Sequence, residues 1–132
     1  MRTVLLLVGL GQIALALASL SLPRMLGWRE QIARLEPFTG RVFWVYATYI
    51  LGTNLCLGCL TALAPDLLLD RSPLARTVAG YATVYWGARF VIQFWFRGVT
   101  PKGRWYALAD LAVTLAIAFW AASYGAILFD LW

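Results

Sequence analysis

Four long apolar stretches alternate along the chain with short polar segments. They cover residues 3–22, 42–64, 74–96 and 105–128, with Pro23 after the first, Pro65 after the second and Pro73 before the third. A helix of about 20 residues, rising about 1.5 Å per residue, covers the roughly 30 Å of bilayer hydrocarbon. Apolar side chains surround each stretch on all sides, as in helices that face lipid or lie in a core. The pattern predicts an all-α fold: an integral membrane four-helix bundle in a single domain, residues 1–132.

Between the first two stretches the pattern changes. Met25, Trp28, Ile32 and Leu35 recur at helical spacing, while Arg29, Glu30 and Arg34 lie off that stripe. This predicts a short amphipathic helix over about residues 24–36, bounded by Pro23 and Pro37, lying in the membrane interface. Glu30 and Arg34 stand at i,i+4, a spacing suited to an ion pair.

Composition agrees with this reading. The chain is 62% hydrophobic and 13% charged, whereas soluble domains are about 45–50% apolar and about 25% charged. That excludes a disordered tail and an ordinary water-soluble enzyme. Histidine is absent, which removes the commonest metal ligand, haem ligand and general base. Neither a catalytic residue nor a metal site is expected. The net charge of +5 comes almost wholly from arginine in the loops, where orientation and anionic headgroups explain it and nucleic acid need not.

The loops after the first and third stretches carry Arg24, Arg29, Arg34, Arg41, Arg97, Lys102 and Arg104, against Arg2, Arg71 and Arg76 at the other end. The positive-inside rule puts the former loops in the cytoplasm and both termini outside, in a bacterial inner membrane. Arg29, Arg34, Arg97, Lys102 and Arg104 become candidate headgroup contacts. Trp28, Trp44, Trp95 and Trp105 cluster at the same level, with Trp28, Trp95 and Trp105 as interfacial anchors; Tyr124 and Trp132 are expected near the opposite interface. Arg2 and Ala16-Leu17-Ala18 give the first stretch some features of a signal peptide, but it is read as a helix that stays.

Charged groups inside the stretches are the candidates for a site. Arg89 lies about 12 Å and Asp110 about 9 Å inside the same boundary, so an Arg89–Asp110 ion pair is expected. Thr77, Tyr81, Tyr85, Arg89, Gln93 and Arg97 recur at steps of four, a band that winds around its helix and belongs against other helices or a cavity. Gln12 and Asn54 are further interior polar positions. Arg89, Asp110, Gln93 and Tyr85 form either a network that fixes the bundle's register or a pocket for an anionic or quinone-like headgroup.

Small residues suggest close helix contacts. Ala112 and Ala116, Ala118 and Ala122, and Gly52 and Cys56 are small-x-x-x-small pairs, the spacing that lets membrane helices approach, either within the bundle or against another subunit. Cys56 and Cys59 sit in an apolar run and read as small packing residues. Zinc wants four ligands, and the chain holds no second pair.

Three segments carry a resemblance: Leu26–Glu30 (LGWRE), Arg41–Trp44 (RVFW) and Trp86–Phe96 (WGARFVIQFWF). With them the chain resembles small four-helix bacterial membrane proteins of unknown function, and in size and layout it is distantly similar to the DoxX-like group. The resemblance implies the four-helix fold and gives Arg89 and Gln93 added weight. It implies no activity.

The expected function is therefore a non-catalytic accessory subunit, or an assembly or stabilising factor, of a larger inner-membrane complex, with an electron-transfer complex as one setting. Its partners would be membrane lipids and other membrane subunits. It needs no cofactor, although its aromatic surface could touch lipid, carotenoid or quinone. The alternative is a small oligomeric membrane protein for binding or transport, with its site around Arg89. A third reading, a membrane thiol oxidoreductase using Cys56 and Cys59, resembles four-helix quinone-linked disulfide-forming enzymes but lacks their second cysteine pair.

Overall fold

The computed structural model describes residues 1–99 and 101–131. Its regular structure is wholly helical: α1 (Arg2–Ser19), α2 (Leu22–Met25), α3 (Trp28–Ala33), α4 (Pro37–Leu63), α5 (Pro65–Leu69), α6 (Pro73–Phe96) and α7 (Arg104–Leu128). Three helical stretches are long and apolar enough to cross a membrane: Arg2–Met25, Pro37–Leu63 and Arg104–Leu128. At 24 residues α6 is as long, but Arg76, Arg89, Gln93 and its tyrosines make it less apolar.

Proline sets most of the helix starts. Pro37, Pro65 and Pro73 each open a helix, where the missing N–H is no loss and the fixed φ suits the first turn. Ser72 caps α6 by accepting the Ala75 N–H at 3.1 Å. Pro23 likewise falls in the first turn of the short α2, and the first apolar stretch runs on almost unbroken to Met25.

The amphipathic segment differs from expectation. It forms two short helices, because Gly27 between them adopts a left-handed φ of 61°. That break spoils the stripe: Met25 and Leu35 are exposed, while Trp28 turns onto α4 and meets Phe43 edge-on at 5.1 Å. Glu30 and Arg34 make no ion pair among the described residues.

The long helices pack as two antiparallel pairs, α1 with α4 and α6 with α7, joined along α1 and α7 and by α5. Glycine decides the first pair. A Cβ on Gly9 would meet the Ala62 backbone nitrogen, with Gly58 O at 2.7 Å, and one on Gly58 would stand 2.9 Å from Ile13 Cγ1. Backbones this close need residues without side chains. The second pair is built on Trp86 against Trp120, ring centroids 4.7 Å apart, with Ala79, Ala82 and Ile117 buried around them.

Large apolar side chains cover the outside, among them Leu7, Tyr49, Leu63, Val84 and Leu115. Water-soluble monomers rarely expose so much contiguous apolar surface, so the outer surface, like the three apolar helices, is consistent with a membrane protein.

Candidate functional site

The charged cluster lies where the end of α6 meets the start of α7. Gln93 is buried on the α6 face turned to α7, and its Nε2 donates to Asp110 Oδ1 at 2.6 Å. Arg97, just past the last turn of α6, reaches back with Nε to Asp110 Oδ2 at 3.1 Å. Thr114, one turn on from Asp110, donates to the Asp110 carbonyl oxygen at 2.6 Å and accepts a long bond from Arg97 Nη2 at 3.4 Å. Both carboxylate oxygens of Asp110 are thus occupied. The Arg97 guanidinium also sits 4.5 Å from the centroid of the Phe94 ring, a cation–π contact.

The ion pair expected between Arg89 and Asp110 is not made. Depth measured from the loop placed Arg89 and Asp110 at similar levels, but the register of the two helices sets Gln93 opposite Asp110. Arg97, at the end of α6 and with 44% of its side chain exposed, takes the carboxylate instead. Arg89 is half-buried and feels Asp110 only through space. Its Nη1 and the Gln93 Oε1 are both buried without a hydrogen-bond partner. They are a donor and an acceptor one helical turn apart. Tyr85 leaves this group: its hydroxyl donates to Asn54 Oδ1 at 2.7 Å, tying α6 to α4.

A second polar centre sits deep between α1, α4 and α7. Gln12 Nε2 donates to the Tyr124 hydroxyl at 2.9 Å, and that hydroxyl lies 2.5 Å from Thr61 Oγ1. Thr61 gives its own proton to the Leu57 carbonyl at 2.7 Å, so the Tyr124 proton must go to Thr61. The three side chains are fully buried. Tyr124 is therefore a core residue and not the interfacial aromatic it was expected to be; a ring with one polar atom suits either place, and sequence alone does not separate them. Trp132 lies outside the described residues. Trp86 Nε1 and Gln12 Oε1, again a donor and an acceptor, are buried in the core without a partner.

Two grooves open sideways. The first, of about 360 Å³, lies between α4 and α6; Thr48, Gly52 and Cys56 line it at one-turn spacing, with Tyr49 and Tyr81 beside them. Nothing lies within 4 Å of a Cβ placed on Gly52. Cys56 is exposed there and Cys59 half-buried, both as free thiols, so of the two packing places expected for Cys56 the interior of the bundle is not the one it takes. Ala112 and Ala122 are exposed too, and within the bundle the close helix contact is made by Gly9 and Gly58. The second groove, of about 610 Å³, lies between α3 and the start of α4 and holds Arg29, Arg41 and Trp44. Arg41 was not among the headgroup candidates. Its place beside Arg29 depends on how α3 folds back, which no spacing in the sequence reveals. The other headgroup candidates, Arg34, Lys102 and Arg104, are exposed, as are the anchors Trp95 and Trp105.

The two ends of the bundle differ in charge. At the end holding the chain termini, Arg2 pairs with Asp66 at 3.2 Å, Arg76 with Asp130 at 2.5 Å and Arg71 with Asp130 at 3.6 Å. With Asp70 this end is neutral, and the whole excess of +5 falls on the other end and on Arg89. No family model, no curated protein and no solved structure matches the chain.

Proposed function

We propose that the chain is a four-span bacterial inner-membrane protein that serves as a non-catalytic accessory or assembly subunit, docking other membrane helices against its α4–α6 side. In this reading α6 is the fourth span, and α2 and α3 lie at the cytoplasmic interface with both termini outside. Seven basic residues at the cytoplasmic end against three at the end with the termini support that orientation. The observation that carries the docking role is the open groove whose floor is Thr48, Gly52 and Cys56. Small residues repeating every four positions on a lateral face suit the backbone of another transmembrane helix better than they suit lipid tails. The test is native extraction in mild detergent with a photoactivatable maleimide on Cys56 in a Cys59→Ser background. Cross-linking to one stoichiometric membrane protein is expected. Labelling that joins Cys56 to lipid alone, in a chain migrating by itself, would overturn the reading.

Arg89 and Gln93 favour a second reading, a small binding protein. A buried donor and a buried acceptor one turn apart could be met together by a ligand that offers both, such as a quinol or a protonated phosphate group. Extracted lipid and quinone should then co-purify with the native chain and be lost in Arg89→Gln while the fold persists. Unchanged retention would count against it.

A further inference from the structure

We infer that the groove between α3 and the first turns of α4 binds the phosphodiester headgroup of an anionic phospholipid. Three independent features meet there. The first is shape: α3 folds back onto the buried Gly40, where a Cβ would come within 3.3 Å of Ile32 Cγ2, and this seat leaves a groove of about 610 Å³ beside it. Volumes of about 300–1,000 Å³ hold small ligands.

The second feature is charge. Arg29 from α3 and Arg41 from α4 line the same groove, and its lining contains no carboxylate. Neither arginine makes an ion pair among the described residues. The nearest acids in sequence are Glu30 and Glu36, and Glu36 accepts from Thr39 at 3.3 Å. Two unpaired guanidiniums matched to one phosphate can each give it paired N–H donors. The contrast with the other end of the bundle is direct, since there Arg2, Arg71 and Arg76 all have aspartate partners.

The third feature is the wall. Ile32, Leu35 and Trp44 complete the groove, and Trp44 is held in place by Trp28 and Phe43, whose rings meet it at centroid distances of 6.5 and 5.6 Å. A soluble phosphate ester would gain nothing from these apolar side chains, whereas the glycerol and first methylenes of a lipid would lie against them. An aromatic wall at the end of a membrane-length helix also stands where phosphates lie in a bilayer.

The test uses the full chain, delipidated in neutral detergent and offered equal amounts of phosphatidylglycerol and phosphatidylcholine, with retained lipid read by native mass spectrometry. The wild type should prefer phosphatidylglycerol by about thirtyfold, each arginine near an anionic headgroup contributing about fivefold. Arg29→Gln/Arg41→Gln should bring the preference close to one. Arg24→Gln/Arg34→Gln removes the same charge from exposed positions outside the groove and should keep most of it. Ala33→Phe fills the groove with every charge intact and should lose it. An equal loss in both arginine pairs, or full retention in Ala33→Phe, would reduce the effect to diffuse surface charge and overturn the site. Displacement of the lipid by an equal concentration of soluble glycerol phosphate would overturn its assignment to a lipid.

Discussion

The two polar centres of the bundle follow opposite rules. Between α1, α4 and α7 the groups are neutral, fully buried and linked as one chain of donors, from Gln12 through Tyr124 and Thr61 to the Leu57 carbonyl. At the junction of α6 and α7 the charged groups are only partly buried, Arg97 44% and Asp110 21% exposed. Desolvating an amide or hydroxyl that keeps its hydrogen bond costs little, whereas a charge loses hydration that one partner does not fully replace. Burial in this protein thus follows charge, and Arg89, half-buried, is the exception. It lies further in than Arg97, and its Nη1 has no hydrogen-bond partner.

The largest effect should come from the packing that makes the neutral centre possible. In Gly9→Val the new side chain would meet Ala62 Cβ at 2.7 Å and the backbone of α4, which cannot yield as a flexible side chain can. A loss of about 3 kcal/mol or more is expected, since overpacking against backbone exceeds the usual core penalty. It should appear as a large fall in the thermal midpoint in detergent, or as failure to extract folded chain. Tyr124→Phe comes next, at about 2 kcal/mol, because Gln12 Nε2 loses its acceptor in the core. Adding Gln12→Leu should recover most of that loss, and additive losses in the double variant would break the assignment of one linked chain.

Several of these features were legible in the sequence, for identifiable reasons. Pro73 was legible as a helix start because a helix tolerates proline in its first turn, whereas Pro37 and Pro65, expected as ends, open α4 and α5; run length with composition marked the three stretches that are long and apolar enough to cross a membrane. Gln12, Asn54, Gln93 and Asp110 stood out as polar residues in apolar runs, and each has a hydrogen-bonded partner on another helix. The partners themselves were harder to read. Asp110 took Gln93 and Arg97 because of helix register, which a short loop does not fix to within one turn. The stripe from Met25 to Leu35 assumed an unbroken helix, and Gly27 breaks it. Gly9 and Gly58 were passed over for the alanine pairs of α7, although a lone glycine inside a helical run is itself a sign of close backbone approach.

Two substitutions of opposite sign sharpen the rule that burial follows charge. Arg89→Leu should raise stability by about 1 kcal/mol, since it removes a half-buried charge whose nearest carboxylate is already taken. Asp110→Asn should lower it by about 1 kcal/mol, discounted for the exposure of Arg97. Paired thermal unfolding of the two variants reads both. A destabilised Arg89→Leu would mean that Arg89 holds a stronger partner in the folded protein, and burial would then cease to separate it from Arg97.

The smallest effect belongs to a charge that never leaves water. Asp70, between α5 and α6, accepts the Ser72 N–H at 2.8 Å, and its bonds to Ser72 hold its carboxyl below the usual value of 3.8. The folded state therefore binds this proton less readily than the unfolded chain. The stabilisation is fully present above the unfolded value, and it disappears as the pH falls through the lower folded one. In Asp70→Asn that part of the acid sensitivity should vanish, while the midpoint near neutral pH falls only slightly. Thermal midpoints measured from neutral pH down to acid would show the two curves converging below the carboxylate range. Curves that stay parallel throughout would mean that the Ser72 contact does not depend on the charge of Asp70.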